Sequence, residues 1–191
     1  KSFYIHLDVT NELDWRKVIE KTLYEFGRID YLVNIAGIMD PESIEKTSPE
    51  KWQNVIDITQ KGTFLGTKSV IQAMKNTGGS IVNVSSMAAL SGSGTYGAAY
   101  SASRASLLNF TKSSALQLSK YGIRVNTILP GWARTPFTEH LYKEDKLRES
   151  RENQIPLGRW GDPSEIAAGI LFLLSDDASY ITGSSIIIDG G

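Results

Sequence analysis

Tyr100 and Arg104 stand four residues apart in the segment YSASR (100–104), which has the composition of a helix. Side chains at positions i and i+4 of a helix lie on the same face, so this phenol and guanidinium can share one site. Because a nearby cation favours the phenolate, Tyr100 is a candidate acid/base for a hydroxyl or carbonyl substrate. Taken alone, such a pair is also compatible with an ordinary surface or packing contact.

Ser86 lies fourteen residues before Tyr100, directly after the apolar segment 80–85. A serine hydroxyl at this place could polarise the same carbonyl oxygen that the phenol would protonate. The alternative is a hydroxyl that only caps the loop after a strand. Its neighbour Ser85 could be mistaken for it.

Short apolar segments alternate with longer amphipathic ones along the whole chain. The predicted strands are 3–9, 31–36, 80–85, 123–129 and 185–189, and the predicted helices are 11–26, with Thr10 as N-cap, 49–74, 98–120 and 166–174. This alternation predicts an α/β fold of the Rossmann-like type, in which helices cover both faces of a doubly wound parallel sheet. Ligands of such folds bind at the carboxyl ends of strands, here next to Asp8, Gly37, Ser86 and Gly131.

Composition excludes several classes of function. The chain has 191 residues, which is consistent with a single domain over 1–191. Twenty Lys and Arg balance 21 Asp and Glu, so no basic excess favours nucleic-acid or membrane binding. Without Cys and with two His, no metal site is expected. No apolar run approaches the roughly 20 residues that span a bilayer, and the N-terminal residues do not form a secretory signal, so we expect a cytoplasmic protein.

Residues 92–97 match the G-x-G-x-x-G pattern of dinucleotide-binding loops. A working loop of this kind joins a strand directly to a helix and has an acid about 20 residues further on. Here Ala88, Ala89, Leu90 and Ser91 are among the residues that intervene after the predicted strand, and no acid follows at the required distance. We therefore interpret the segment as a flexible loop.

Several ordered segments resemble the short-chain dehydrogenase/reductase (SDR) family, and the match runs from about Leu7 to Gly191. The resemblance makes Ser86 the catalytic serine, and it aligns Tyr100 and Arg104 with the family motif Y-x-x-x-K. It also implies NAD or NADP as cofactor. The cofactor-binding positions implied by the resemblance are Tyr100, Arg104, Asp8, Val9, Asn34, Ala36, Gly37, Pro130, Gly131, Ala133 and Thr135.

The chain departs from the family pattern at three positions. Arg104 replaces the family lysine; it keeps the positive charge but cannot pass on a proton. Thr59 stands where the family has a catalytic asparagine, and Ile35 replaces the second asparagine of the N-N-A-G motif. On this basis we expect Arg104→Lys to raise turnover. The resemblance also begins at the third strand of the family fold, so the glycine-rich first turn is expected to be missing.

The resemblance implies an oxidoreductase that transfers a hydride between NAD(P) and a small-molecule alcohol or ketone. The alternative is a catalytically impaired member of the fold that acts as a dimer partner or ligand-binding scaffold. Residues 137–155 resemble the family's substrate lid, although their charge alone is typical of a solvated helix face. We also expect a homodimer or homotetramer, because the helices 49–74 and 98–120 carry apolar residues on more than one face, including Phe64, Leu65, Leu107, Leu108 and Phe110.

Overall fold

Four parallel strands form the centre of the molecule. The computed structural model describes residues 2–92 and 94–191. The strands β1 (Tyr31–Asn34), β2 (Gly79–Val84), β3 (Ile123–Pro130) and β4 (Ser185–Ile188) lie side by side in chain order. All three neighbouring pairs are parallel. The predicted parallel α/β fold is therefore confirmed.

Helical segments connect the strands. The helices are α1 (Glu12–Phe26), α2 (Pro49–Ile56), α3 (Gly62–Met74), α4 (Ala98–Leu118), α5 (Glu139–Tyr142), α6 (Asp145–Glu152) and α7 (Pro163–Leu174). Short 3₁₀ turns follow at Met87–Ala89, Ser119–Tyr121 and Asp176–Ala178. None of the helices in the described part of the chain is long and apolar enough to cross a membrane.

The sheet has an apolar layer on each face. Ile81 and Val82 are adjacent on β2 and point to opposite sides, as successive strand residues do. Ile81 packs in a cluster with Met74 of α3 and Leu118 of α4. Val82 packs on the other side with Leu173 of α7. Helices thus cover both faces of the parallel sheet, as expected for a Rossmann-like fold.

A row of polar side chains crosses the buried sheet. Asn34 of β1 is paired in register with Asn83 of β2, and Asn83 with Thr127 of β3. The amide nitrogen of Asn34 donates to Asn83 Oδ1 at 2.9 Å, and the amide nitrogen of Asn83 donates to Thr111 Oγ1 of α4 at 2.9 Å. Thr127 Oγ1 also bonds to Thr111 Oγ1. These mutual bonds satisfy polar groups that burial would otherwise leave without partners.

Two predictions about the first residues were wrong. Residues 3–9 do not form a strand, because none of the four strands pairs with them; Tyr4 of this segment is 89% exposed. The N-cap of α1 is Asn11 rather than Thr10. Asn11 Oδ1 accepts from the backbone N–H of Leu13 at 2.9 Å, whereas the Thr10 hydroxyl donates to Asp8.

The predicted single helix 49–74 is divided by a π-helical turn over Asp57–Lys61. Such a turn adds a residue to the helix and occurs frequently at functional sites. It holds Thr59 fully buried, and Thr59 Oγ1 has no hydrogen-bond partner among the described residues. The periodicity of the sequence gives no sign of this insertion.

Candidate active site

A cavity of about 860 Å³ opens at the carboxyl ends of the strands. This is the edge at which parallel sheets bind ligands, and the volume lies in the range of small-molecule sites. The cavity brings together nine of the predicted site residues. They are Ala36, Gly37, Ser86, Tyr100, Arg104, Pro130, Gly131, Ala133 and Thr135.

Tyr100 lies in the first turn of α4, next to the ends of β2 and β3. The helix begins after Gly97, whose φ of 81° favours glycine and where a Cβ would overlap the carbonyl oxygen of Asp40. The ring of Tyr100 is 4.9 Å from that of Tyr96 and 6.2 Å from that of Phe137, measured between centroids. These aromatic neighbours pack beside the Tyr100 ring at the cavity wall.

Arg104 lies one turn further along α4, and its guanidinium carbon is 5.1 Å from the centroid of the Tyr100 ring. The residue is 5% exposed. Its Nη1 donates to the backbone oxygen of Val84 at 2.6 Å, while its Nε is buried with no partner among the described residues. Gly37 borders the same guanidinium, and a Cβ at this position would overlap Nη2. The cation is therefore enclosed between a strand end and a glycine backbone.

The two adjacent serines after β2 have different environments. Ser85 Oγ donates to the backbone oxygen of Arg104 at 2.8 Å, so this hydroxyl links the strand to α4. Ser86 Oγ accepts from the N–H of Ala88 at 3.1 Å, and its hydroxyl hydrogen has no acceptor in the described part of the chain. Because Ser86 lines the cavity, its hydroxyl can donate to a bound oxygen there.

The loop after β3 is fixed by Thr138, which the sequence analysis did not single out. Its Oγ1 donates to the backbone oxygen of Ala133 at 2.6 Å and accepts from the N–H of Thr135 at 3.1 Å. Gly131 packs against Asp189 so closely that a Cβ would lie 2.5 Å from the Asp189 Cβ. These contacts set the course of the backbone along the cavity.

Three predicted cofactor-binding residues lie away from this cavity lining. Asn34 is in the buried polar row and bonds to Asn83. The carboxylate of Asp8 accepts from the N–H and hydroxyl of Thr10 at 2.9 and 2.8 Å, and these bonds hold the Asp8 pKa below its usual value. Val9 accepts from Trp15 Nε1 through its carbonyl at 2.9 Å. Their contact with a cofactor stays a prediction.

The outer wall of the cavity contains residues whose mutual contacts local sequence patterns did not reveal. The ring of Tyr96 is 5.4 Å from that of Trp132, and the Arg151 guanidinium lies 4.9 Å above the Trp132 ring. Burial raises the pKa of Tyr96, so this phenol stays neutral. Arg151 reaches this place from α6 and donates to Thr95, 56 positions earlier in the chain. No short-range spacing could indicate that contact.

Comparison with known proteins identifies the family. The family described as enoyl-(acyl carrier protein) reductase matches residues 1–191. A cyclopentanol dehydrogenase of Comamonas testosteroni is 40% identical over 192 residues, which cover 100% of this chain and 76% of that protein. A 3-oxoacyl-[acyl-carrier-protein] reductase of Thermotoga maritima is 44% identical over 97% of this chain and 74% of its own length. The chain belongs to the short-chain dehydrogenase/reductase family.

A further SDR relative is similar to this chain over its whole length. The trans-4-hydroxycyclohexanecarboxylate dehydrogenase of Sinomonas cyclohexanicum is 42% identical over 100% of this chain and 70% of its own length. The present SDR protein is accordingly an oxidoreductase, and its cofactor is NAD or NADP. The alternative of an impaired scaffold finds no support in these comparisons.

The residues around the cavity fit the nicotinamide and ribose part of such a cofactor. Arg104 provides a buried cation with an unpartnered Nε, and Thr135 provides a hydroxyl at the lining. The backbone of residues 35–37 borders the same space without large side chains at Ala36 and Gly37. Hydrogen-bond donors beside exposed backbone are the groups that a ribose diol and a carboxamide require.

Proposed function

We propose that this SDR enzyme transfers a hydride between NAD(P) and a small-molecule alcohol or ketone at the cavity that contains Ser86, Tyr100 and Arg104. The observation that carries the proposal is that these three side chains line one space, with the guanidinium 5.1 Å from the ring of the phenol. A proton donor, a hydroxyl donor and a fixed cation are the groups that carbonyl reduction needs.

When bound, the nicotinamide supplies or accepts the hydride, and the protein contributes position and charge. In the direction of reduction, Tyr100 Oη donates its proton to the substrate oxygen. Ser86 Oγ donates a hydrogen bond to the same oxygen and stabilises the negative charge that develops there. In the direction of oxidation the phenolate of Tyr100 takes the proton back.

Arg104 acts as a fixed positive charge beside the phenol. Its bond to the Val84 carbonyl oxygen holds the guanidinium in place, and the low exposure of the residue reduces screening by solvent. The charge stabilises the phenolate that remains after proton donation. Because an arginine stays protonated, the phenolate must recover its proton by another route.

We propose that Arg104 also faces the nicotinamide ribose, and that the Ala133 backbone and Thr135 hold the carboxamide. Thr138 supports this assignment because it fixes both the Ala133 carbonyl and the Thr135 N–H. For Asn34, only the backbone is free to contact the cofactor, since its side chain bonds to Asn83. The backbone at Ala36 and Gly37 would border the ribose.

The cavity wall favours an apolar, ring-sized substrate. Tyr96, Trp132 and Phe137 present aromatic surface along one side of the space. Two of the relatives named above are dehydrogenases of cyclic alcohols, cyclopentanol and trans-4-hydroxycyclohexanecarboxylate. We extend this substrate class to the present chain.

Residues 137–155 are proposed to act as the lid over the bound substrate. Phe137 at their start contacts the Tyr100 ring at 6.2 Å, and Arg151 and Gln154 near their end line the same cavity. The short helices α5 and α6 between these points have no fully buried residues. Between these points Leu141 packs against the cluster of Tyr96 and Tyr100, so the segment also contacts the site along its length.

We also propose a homo-oligomer, built on α3 and α4. Leu65 and Leu107 are buried within the subunit, 7% and 1% exposed, so they do not support this proposal. Phe64 supports it, because its side chain remains 47% exposed. Sedimentation velocity at micromolar concentration tests the proposal, and a monomer would contradict it.

The decisive experiment is Tyr100→Phe, measured as NAD(P)H oxidation with a panel of cyclic and linear ketones. The change removes only the hydroxyl, and loss of an acid/base group typically lowers the rate about 10²- to 10⁴-fold. The matched control is Tyr180→Phe, since Tyr180 is fully exposed at 103%. Near-parental turnover in Tyr100→Phe, or a parental protein that oxidises neither cofactor with any ketone, would refute the proposed function.

A further inference from the structure

Two arginines, Arg104 and Arg151, line the cavity, and their side chains have different contacts. Arg104 is enclosed beside Tyr100, as described above. Arg151 lies at the opposite wall, half-buried, with its guanidinium over the Trp132 ring at 4.9 Å. Its charge also reaches the phenol of Tyr96, whose pKa it lowers against the larger raising effect of burial.

Arg151 has no carboxylate partner among the described residues. Its hydrogen bonds go to Thr95 Oγ1 at 3.0 Å, from Nη2, and to Gln154 Oε1 at 3.3 Å, from Nη1. Both acceptors are neutral. A guanidinium has five N–H donors, so donors remain for a ligand in the cavity that Arg151 lines.

Other arginines of the same region are neutralised. Arg134 lies 3.9 Å from Glu139, Arg148 lies 2.8 Å from Asp145, and Arg159 lies 2.7 Å from Glu165. Arg151 lines the cavity and forms no salt bridge with a described residue. Asp189 also lines the cavity, but its Oδ1 accepts from the N–H of Gly191 at 2.9 Å.

The rings between the two arginines form an apolar path. From the Tyr100 ring the successive centroid separations are 4.9 Å to Tyr96 and 5.4 Å to Trp132, after which Arg151 lies over the Trp132 ring. A ligand whose oxygen meets Tyr100 would lay its carbon skeleton along these faces. Its far end would then meet the positive charge of Arg151.

We infer that the substrate carries a carboxylate, separated from the reacting alcohol or ketone by an apolar ring or short chain, and that Arg151 is the specificity-determining residue that binds it. The planar guanidinium matches a carboxylate with two parallel hydrogen bonds. The stacking on Trp132 and the bonds to Thr95 and Gln154 fix its orientation before the ligand binds. This inference deepens the proposed function and rests on it.

The test measures binding without turnover. Cyclohexanecarboxylate and its neutral analogue cyclohexanecarboxamide are titrated against the parental enzyme by tryptophan fluorescence, with and without NAD⁺ or NADP⁺; Trp132 beneath Arg151 provides the signal. We expect the acid to bind at least about 10-fold more tightly than the amide, as charged hydrogen bonds allow. Arg151→Gln and Arg151→Met are each expected to bring this ratio close to one, and Arg151→Lys to give an intermediate ratio.

Arg159→Gln is the matched control, because it removes a guanidinium that is already paired with Glu165 outside the cavity; the acid-to-amide ratio should not change. Arg151→Met keeps an apolar contact on Trp132, so it carries the test if Arg151→Gln does not fold. Equal affinity of the parental enzyme for acid and amide would overturn the inference, as would an unchanged ratio in either neutral variant or displacement of the acid by the cofactor.

The same titration separates this inference from the proposed function. In Tyr100→Phe the acid-to-amide ratio should stay parental while turnover is lost. A parental enzyme that turns over no ketone but keeps its preference for the acid would refute the reaction and leave the carboxylate site standing. An enzyme that turns over ketones but shows no preference for the acid would refute the carboxylate site and leave the proposed reaction standing.

Discussion

The inner and outer walls of the cavity are built in different ways. The inner wall, around Ser86, Tyr100 and Arg104, consists of strand ends and the first turns of α4, and all three side chains are buried. The outer wall, around Trp132, Phe137 and Arg151, consists of the loop after β3 and the end of the short helix α6. From this difference we expect the chemistry to depend on residues whose backbone the sheet fixes, and substrate choice to depend on side chains of the loop and short helix.

Among the changes that keep the Tyr100 hydroxyl, the largest effect is expected at the inner wall, from Arg104→Lys. The family resemblance alone predicts a gain in turnover, but the structure argues for a loss. A lysine cannot keep both the Nη1 bond to Val84 and the contact of Nη2 with Gly37, and it would leave a charge buried with fewer partners. Turnover should fall about 10- to 100-fold, in line with the loss of a charged hydrogen bond.

Steady-state assays with both cofactors measure this effect, and the unfolding midpoint in urea shows whether the variant is also less stable. Arg28→Lys is the control, since Arg28 pairs with Asp30 at the surface. An increase in turnover for Arg104→Lys would show that the guanidinium impairs the site, as the sequence suggested.

A smaller and different effect is expected at the outer wall, from Phe137→Ala. The Phe137 ring contacts the rings of Tyr96 and Tyr100 at 6.3 and 6.2 Å and belongs to the proposed lid. Its removal should raise KM for an apolar ketone about 10-fold, because aromatic surface is lost, and leave kcat within about 3-fold. Leu171→Ala on α7, 66% exposed, is the control. A fall in kcat with KM unchanged would contradict the assignment of substrate binding to the outer wall and of chemistry to the inner wall.

The smallest effect is expected outside both walls, at the start of α7. Glu165 accepts from two nitrogens of Arg159 and from the N–H of Asp162, and these bonds lower its pKa from 4.5 to about 2. A lowered carboxyl pKa stabilises the folded state above pH 4.5, and this contribution is lost as the pH falls from 4.5 towards 2. Glu165→Gln should therefore flatten the loss of stability across this window, by a small amount because the pair is exposed.

Chemical unfolding at a series of pH values checks this expectation, with activity at neutral pH as a second readout that should stay parental. Glu20→Gln provides the comparison, since Glu20 is an exposed carboxyl on α1. Parallel pH profiles for the parental protein and Glu165→Gln would show that the pair adds nothing to stability.

The sequence predicted the inner wall better than the outer one. The alternation of short apolar and longer amphipathic segments was sufficient to predict the parallel sheet. The rule that ligands bind at strand ends led to Ser86 and Gly37, and the helical spacing from Arg104 led to Tyr100. The positions of these residues could be predicted because each depends on local geometry: a strand end, a helix turn or a close approach of the backbone. Their roles in catalysis still await the measurements above.

The features that the sequence did not predict depend on contacts between distant parts of the chain. Arg151 meets Thr95 across 56 positions, and Tyr96 lies against Tyr100 only because the loop before α4 folds over the cavity. The strand predicted at 3–9 was wrong because a strand requires a neighbour as well as a suitable composition. The π-turn at 57–61 leaves the apolar pattern almost unchanged, so periodicity could not reveal it.

The buried polar row has a consequence for how the strands find their alignment. A shift of β2 by one residue would turn Asn83 to the opposite face, where Val82 now packs on Leu173. Its amide would then be buried among apolar side chains, and Asn34 and Thr111 would lose their partner. Apolar strands such as β2 and β3 pack almost equally well in several alignments, but amides do not. Asn83 therefore favours one strand register during folding and disfavours the registers that are shifted by one residue.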